Sequence, residues 1–135
     1  MIVDLTYYNK ELNAEIDSVI GEKFNLIERM KMKGIGSRRM IIENFSTEFK
    51  LAKSNFNDTQ YANIELRPKG IIVHITKGIN NYGWIIPFFR LSIFNTSFLS
   101  IHSEGAYLNL NKLKSLRENK DFIRKLMVNK LKTTN

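Results

Sequence analysis

The sequence predicts an α+β fold: an antiparallel sheet or partly open barrel of about six to seven strands, with an N-terminal helix and a C-terminal amphipathic helix. Three observations carry this. Residues 9–33 place apolar side chains at helical spacing, residues 61–110 read as alternating strands separated by turn chemistry, and the stretch after Asn119 returns to helical spacing. No repeat, low-complexity tract or linker divides the chain, so its 135 residues are expected to form one domain (1–135) with one core.

In the first element, Leu12, Ile16, Val19, Ile20, Phe24, Ile27 and Met30 fall along one stripe of a helix over 9–33. Glu11, Glu15 and Asp17 lie in its first half and Arg29, Lys31 and Lys33 in its last turns, the order that complements the helix dipole. Gly21 inside it costs about 1 kcal/mol relative to alanine. The glycines of "GIGS" at 34–37 end the helix.

Residues 41–53 support two readings. Phe45, Thr47, Phe49 and Leu51 alternate as in a strand, whereas Ile41, Phe45, Phe49 and Ala52 align on a helix face. The β-branched residues favour strand. "YANIEL" and "IIVHIT" then flank "RPKG", with proline at the second turn position and glycine at the fourth, which predicts a type I turn joining antiparallel strands. "KGINNYG" reads as the next loop.

"WIIPFFRLSIF" is apolar on both faces of a strand. Pro87 cannot donate to a ladder and predicts two pieces, Trp84–Ile86 and Phe88–Phe94, with a bend between them. Carried through the bend, alternation puts Phe89, Leu91 and Ile93 in the core against Phe122, Leu126 or Met127. It leaves Trp84, Ile86 and Phe88 under the N-terminal helix or, with Pro87, as an apolar interaction strip. "FLSIHSEGAYLNL" predicts a hairpin about "SEG". Asn119 then caps a helix whose apolar side is Phe122, Ile123, Leu126, Met127 and Leu131.

Chemistry-bearing residues are sparse. Without cysteine there are no disulfides, thiolate metal sites or cysteine nucleophile, and a reducing, cytoplasmic location is the expectation. The two histidines, His74 and His102, lack metal-ligand spacing and read as hydrogen-bonded structural residues. "SIHSEG" groups serine, histidine and glutamate, but neighbours on a strand point to opposite faces. The sequence therefore predicts no enzyme, cofactor or metal. The N-terminus does not read as a secretory signal, and the longest apolar run, Trp84 to Phe89, is far short of the about 20 residues that span a bilayer.

The net charge of +8 points toward polyanions. Lys31, Lys33, Arg38 and Arg39 form one candidate anion-binding group, and the region from Lys112 to Lys132 supplies eight more basic side chains against two acidic ones. Tyr61, Tyr82 and Trp84 are able to stack bases, but nothing in the sequence places them beside these cations.

At "IELRPKGIIVHI", "WIIPFFRLSIF", "LSIHSEGAYLNL" and "NKDFIRKLM" the order of features resembles the pleckstrin-homology-like domains of bacteria and small Bacteroidetes-type proteins, over roughly residues 41–131. That resemblance implies a bent, partly open barrel closed by the last helix, a scaffold for lipid headgroups, peptides or protein assembly. It sets Arg67 and Lys69 in the headgroup loop, with Lys77 beyond, although the following strand lacks the arginine-x-arginine of phosphoinositide binders. The expected function is a non-enzymatic binding or assembly module working through a sheet edge or the apolar strip, most simply as a homodimer. The alternative is a basic surface for nucleic acid or anionic lipid headgroups, which one continuous face of all seven cations would favour.

Overall fold

The computed structural model describes residues 1–47, 49 and 60–134, and of 112–117 and 134 the backbone alone. The strands are β1 (Ile2–Asp4), β2 (Met40–Phe45), β3 (Tyr61–Arg67), β4 (Gly70–Lys77), β5 (Asn80–Pro87), β6 (Ser92–Asn95), β7 (Leu99–Ser103) and β8 (Ala106–Leu110). The helices are α1 (Lys10–Ile20), α2 (Leu26–Lys31) and α3 (Lys112–Thr134). All eight strands form one antiparallel sheet in the order β1-β5-β4-β3-β2-β8-β7-β6.

The α+β class and the antiparallel sheet agree with the sequence, with eight strands in place of six or seven. β1 supplies the strand that sequence reading missed. Its three residues are too few to show alternation, and it exists because β5 offers Tyr82–Trp84 as partners. "NNY", expected in a loop, is the start of β5, since the turn from β4 needs only Gly78 and Ile79. The 41–53 segment is strand as far as Phe45. Phe49 then donates its N–H to Ser46 O (3.2 Å) and sets its ring edge-on to Trp84, with centroids 4.9 Å apart. Leu51 and Ala52 lie outside the described residues.

The predicted helix over 9–33 is two helices. Asn9 caps α1 by accepting from Leu12 N–H (3.0 Å), and Gly21 at φ +86 ends it, a conformation that a side chain makes costly. The freed carbonyls are taken by the hairpin below, with Lys69 N–H on Ile20 O (2.8 Å) and the Arg67 guanidinium on Gly21 O (2.8 Å). That turn is Arg67-Pro68-Lys69-Gly70 as predicted, and Lys69 is not at positive φ, consistent with type I. Gly70 is required by close approach: a Cβ there would meet Ile86 O and lie 2.5 Å from Ile20 Cγ2.

The main core lies on one side of the sheet. Ile64, Leu66, Ile71, Val73, Trp84 and Ile86 of β3–β5 share one cluster with Leu99, Ile101, Leu108 and Leu110 of β7 and β8 and with Phe122 and Leu126 of α3. A smaller cluster on the opposite face joins Ile16 and Ile20 of α1 to Ile72 and Ile85.

In "WIIPFFRLSIF" the two faces of β5 are therefore the reverse of those expected, whereas Leu91 and Ile93 join the main cluster with Phe122 and Leu126 as expected. Trp84, Ile86 and Phe88 face α3, and Ile85 faces α1. Pro87 ends β5, and Phe88–Arg90 form a 3₁₀ turn in which Leu91 N–H returns to Phe88 O (3.2 Å). A 3₁₀ turn has a period of three, so strand alternation does not cross it. Phe88 and Leu91 are buried, whereas Phe89 is 72% exposed. At the other end, α3 starts at Lys112, so Asn119 is interior to the helix and not its cap, and Leu131 points to solvent. Asn119 is buried, and its Oδ1 accepts from Arg38 N–H (2.8 Å), which ties the chain before β2 to α3.

Candidate functional site

Every residue of α2 is exposed. The helix nevertheless has a defined start, because Asn25 accepts from Glu28 N–H (2.8 Å) while Glu28 accepts from Asn25 N–H (3.0 Å), a reciprocal capping box. Its end is also fixed, with Gly34 N–H on Arg29 O (2.9 Å) and Lys125 of α3 donating to Gly34 O (2.8 Å). Phe24 before the helix, and Met32 and Ile35 after it, pack against the main core.

A helix held this way presents Leu26, Ile27 and Met30 outward at 65, 65 and 72% exposure. Positions 26, 27 and 30 share one helix face. Lys23, Arg29, Lys31 and Lys33, all exposed, flank that face, and of the two acids nearby Glu28 is engaged in the capping box. Large apolar side chains held out by a capped, anchored helix need a partner, since solvated surface helices ordinarily bury such a stripe.

The predicted apolar strip is no such surface, because Trp84, Ile86, Pro87 and Phe88 are all buried. The seven predicted anion ligands do not share a face either. Arg67, 4% exposed, is consumed internally: its Nε donates to Glu65 Oε2 (2.6 Å), and one terminal nitrogen contacts Asp17 Oδ1 (2.9 Å) and Gly21 O. Lys69 and Lys77 stand at opposite ends of β4, roughly 26 Å apart at about 3.3 Å per residue. Lys31 and Lys33 belong to the α2 fringe. Arg38 and Arg39 border an open groove of about 790 Å³ with Ile41, Tyr61, Asn63 and Glu118. Tyr61 does meet a cation there, with the Arg39 guanidinium 4.6 Å from its ring centroid. Trp84 is buried and Tyr82 half-buried.

Beneath α1 a polar cluster borders a cavity of about 330 Å³ lined in part by Leu12, Glu65, Arg67, His74 and Asn81. His74 Nε2 lies 3.1 Å from Glu65 Oε1, and since a carboxylate only accepts, Nε2 carries the proton. Burial by itself would raise the Glu65 carboxyl. The hydrogen bonds from His74 and Arg67, with the charges of both, outweigh that and hold it at about 2. Glu65, Arg67 and His74 each serve a neighbour and form a structural anchor between α1 and the sheet, while Asn81 places Nδ2 3.5 Å from His74 Nδ1 and keeps a buried Oδ1 without a hydrogen-bond partner among the described residues.

The "SIHSEG" residues diverge. Ser100 donates to Asn109 Oδ1 (2.6 Å), His102 stacks on Tyr107 and meets Phe94 edge to face, and Glu104 pairs with Arg90. Among the described residues no three metal-ligating side chains converge, and no helix is long and apolar enough to cross a membrane. The sequence reading missed Leu26 as a surface residue and assigned Ile27 and Met30 to a buried stripe. The signal that finds them is "NLIE" at 25–28, a capping-box start four residues beyond Gly21.

No family model, curated protein or solved structure matches the chain.

Proposed function

We propose that this protein is a non-enzymatic binding module that seats on an anionic membrane surface through α2, with Leu26, Ile27 and Met30 entering the headgroup boundary and Lys23, Arg29, Lys31 and Lys33 meeting lipid phosphates. The observation that carries the reading is a capped and anchored helix that buries none of its own residues. Covering three side chains that are about two-thirds exposed contributes roughly 3–5 kcal/mol. Each basic side chain near an anionic leaflet adds about 1 kcal/mol. Either contribution alone gives weak attachment, and together they reach the two-signal regime of stable peripheral binding.

A pleckstrin-homology-like scaffold is part of this proposal. It is supported by the meander β2–β5, the second meander β6–β8, the pairing of β2 with β8, and α3 after the last strand. Assembly through a sheet edge is the less favoured reading, because the edge strands β1 and β6 have three and four residues and offer few backbone groups to a partner strand.

Sedimentation with vesicles of phosphatidylcholine containing phosphatidylserine tests the proposal at about 150 mM salt, where the Debye length is about 8 Å. The parent is expected to pellet with anionic vesicles and to stay in solution with neutral ones. Ile27→Asp with Met30→Asp is expected to abolish pelleting without altering the thermal midpoint. Equal pelleting of parent and double variant would end the proposal, as would a parent that never pellets.

A further inference from the structure

The groove beside Arg38 and Arg39 is a second candidate site, independent of α2. Its floor comes from Ile41 and Tyr61, paired across β2 and β3, with Asn63 two residues along the same face. Arg38, Arg39 and Glu118 of α3 line it as well.

The backbone leading into Arg38 is pinned, and Arg39 directly precedes β2. Ser37 N–H donates to Ile64 O (2.8 Å), Ile64 N–H donates to Ser37 Oγ (2.8 Å), and Arg38 N–H is held by buried Asn119. Neither arginine forms an ion pair among the described residues. The Arg39 guanidinium carbon lies 4.6 Å from the Tyr61 ring centroid, a cation–π contact that sets a guanidinium over an aromatic ring at the groove.

We infer that this groove binds a nucleotide, with the base stacking on the Tyr61–Arg39 pair and the phosphate taken by Arg38. The parts match the ligand one by one. Proteins that read unstacked bases place them on aromatic rings or guanidinium planes, and arginine grips phosphate through its planar fork. The Asn63 carboxamide offers a donor and an acceptor to a base edge, and the Glu118 carboxylate accepts from an amino group or a ribose hydroxyl. A bare anion site would use neither the ring nor the amide, and a lipid surface would not fit an inward groove with an acid on its wall. The nucleotide has two sources, a free mononucleotide or one residue of a single strand.

The test is a titration at about 150 mM salt with a fluorescently labelled ten-residue single-stranded RNA, alongside direct binding of adenosine 5′-monophosphate and of ribose 5-phosphate. The expected result is that the RNA or the mononucleotide binds, and that ribose 5-phosphate binds at least about tenfold more weakly than the better of them. Binding of the mononucleotide identifies the free source, and binding of RNA alone identifies the strand. Tyr61→Leu is expected to weaken binding about tenfold or more, Tyr61→Phe to retain it, and Arg38→Ala with Arg39→Ala to abolish it. The arginines are exposed, so that double variant keeps the parent thermal midpoint, and it should pellet with anionic vesicles as the parent does. The inference is overturned if neither nucleotide ligand binds, if ribose 5-phosphate binds equally well, if the variants bind like the parent, or if the arginine variant loses vesicle binding instead.

Discussion

Phe88 and Phe89 are adjacent, chemically identical and opposite in environment, so truncating each in turn tests how the chain leaves β5. Phe88 is fully buried in the cluster that includes Leu91, Phe122 and Leu126, whereas Phe89 is 72% exposed and touches the Arg90 guanidinium at 5.2 Å from its ring centroid. Phe88→Ala removes the transfer energy of a buried ring and leaves a cavity, a loss of about 3–5 kcal/mol. Phe89→Ala falls among surface substitutions, within about 0.5 kcal/mol of neutral. With a urea slope of about 1.5 kcal/mol/M, Phe88→Ala lowers the midpoint by about 2–3 M and Phe89→Ala by no more than about 0.3 M. Total stability for such a domain is about 5–15 kcal/mol, so Phe88→Leu, expected to lose about 1–2 kcal/mol, provides the measurement if the alanine variant does not fold. Tryptophan fluorescence in urea is the assay, because Trp84 sits in the same cluster. Equal midpoints for the two alanine variants, or a larger loss at Phe89, would refute the 3₁₀ turn as the element that buries Phe88 and exposes Phe89.

Three further outcomes follow from the anchor between α1 and the sheet. Glu65 titrates at about 2 when folded against about 4.5 ordinarily, so its contribution of about 3 kcal/mol is present above pH 4.5 and is lost as pH falls toward 2. Urea midpoints measured from pH 6 to pH 2 should therefore fall more steeply in the parent than in Glu65→Gln, and parallel curves would contradict the ion-pair geometry. Arg67→Ala strands Glu65 without its main cation and uncaps Gly21 O, for a loss of about 2–4 kcal/mol after allowance for the partly solvated Asp17, visible as a lowered thermal midpoint. Gly70→Ala forces a methyl group against Ile86 O and Ile20 and should cost about 1–3 kcal/mol in the same assay, whereas an unchanged midpoint would show that α1 does not press on the hairpin.

The hairpins about "RPKG" and "SEG" were legible because their turns show through their own residues and β3 and β8 show alternation. Pro87 was legible as a break, but the sense of the chain after it was not. A proline stops a ladder without specifying how many residues turn before the next strand begins, and three residues of 3₁₀ geometry were enough to bury Phe88 together with Leu91 and to turn Phe89 to solvent. The helical stripe through Phe24, Ile27 and Met30 misled for a related reason. Phe24 is half-buried against the core, but the break at Gly21 starts a new helix whose phase is set by Asn25, so Ile27 and Met30 no longer extend the stripe of Ile16 and Ile20. Charge was least legible of all. Arg67 looked like a turn cation available to ligands, but a guanidinium is also the group best suited to bridge Glu65, Asp17 and a helix-end carbonyl, and only the packing of α1 on the sheet decides which role it takes.

Insertion of α2 into an anionic bilayer is tested most directly by an environment-sensitive fluorophore at its tip. The chain has no cysteine, so Met30→Cys and Ile79→Cys each give a single attachment point, the second in the exposed turn between β4 and β5. Titrated with phosphatidylserine-containing vesicles, the label at position 30 should shift to shorter wavelength and become protected from an aqueous quencher, while the label at position 79 keeps its emission and its quenching. Vesicle binding with no change at position 30, or with equal protection at both positions, would contradict the account.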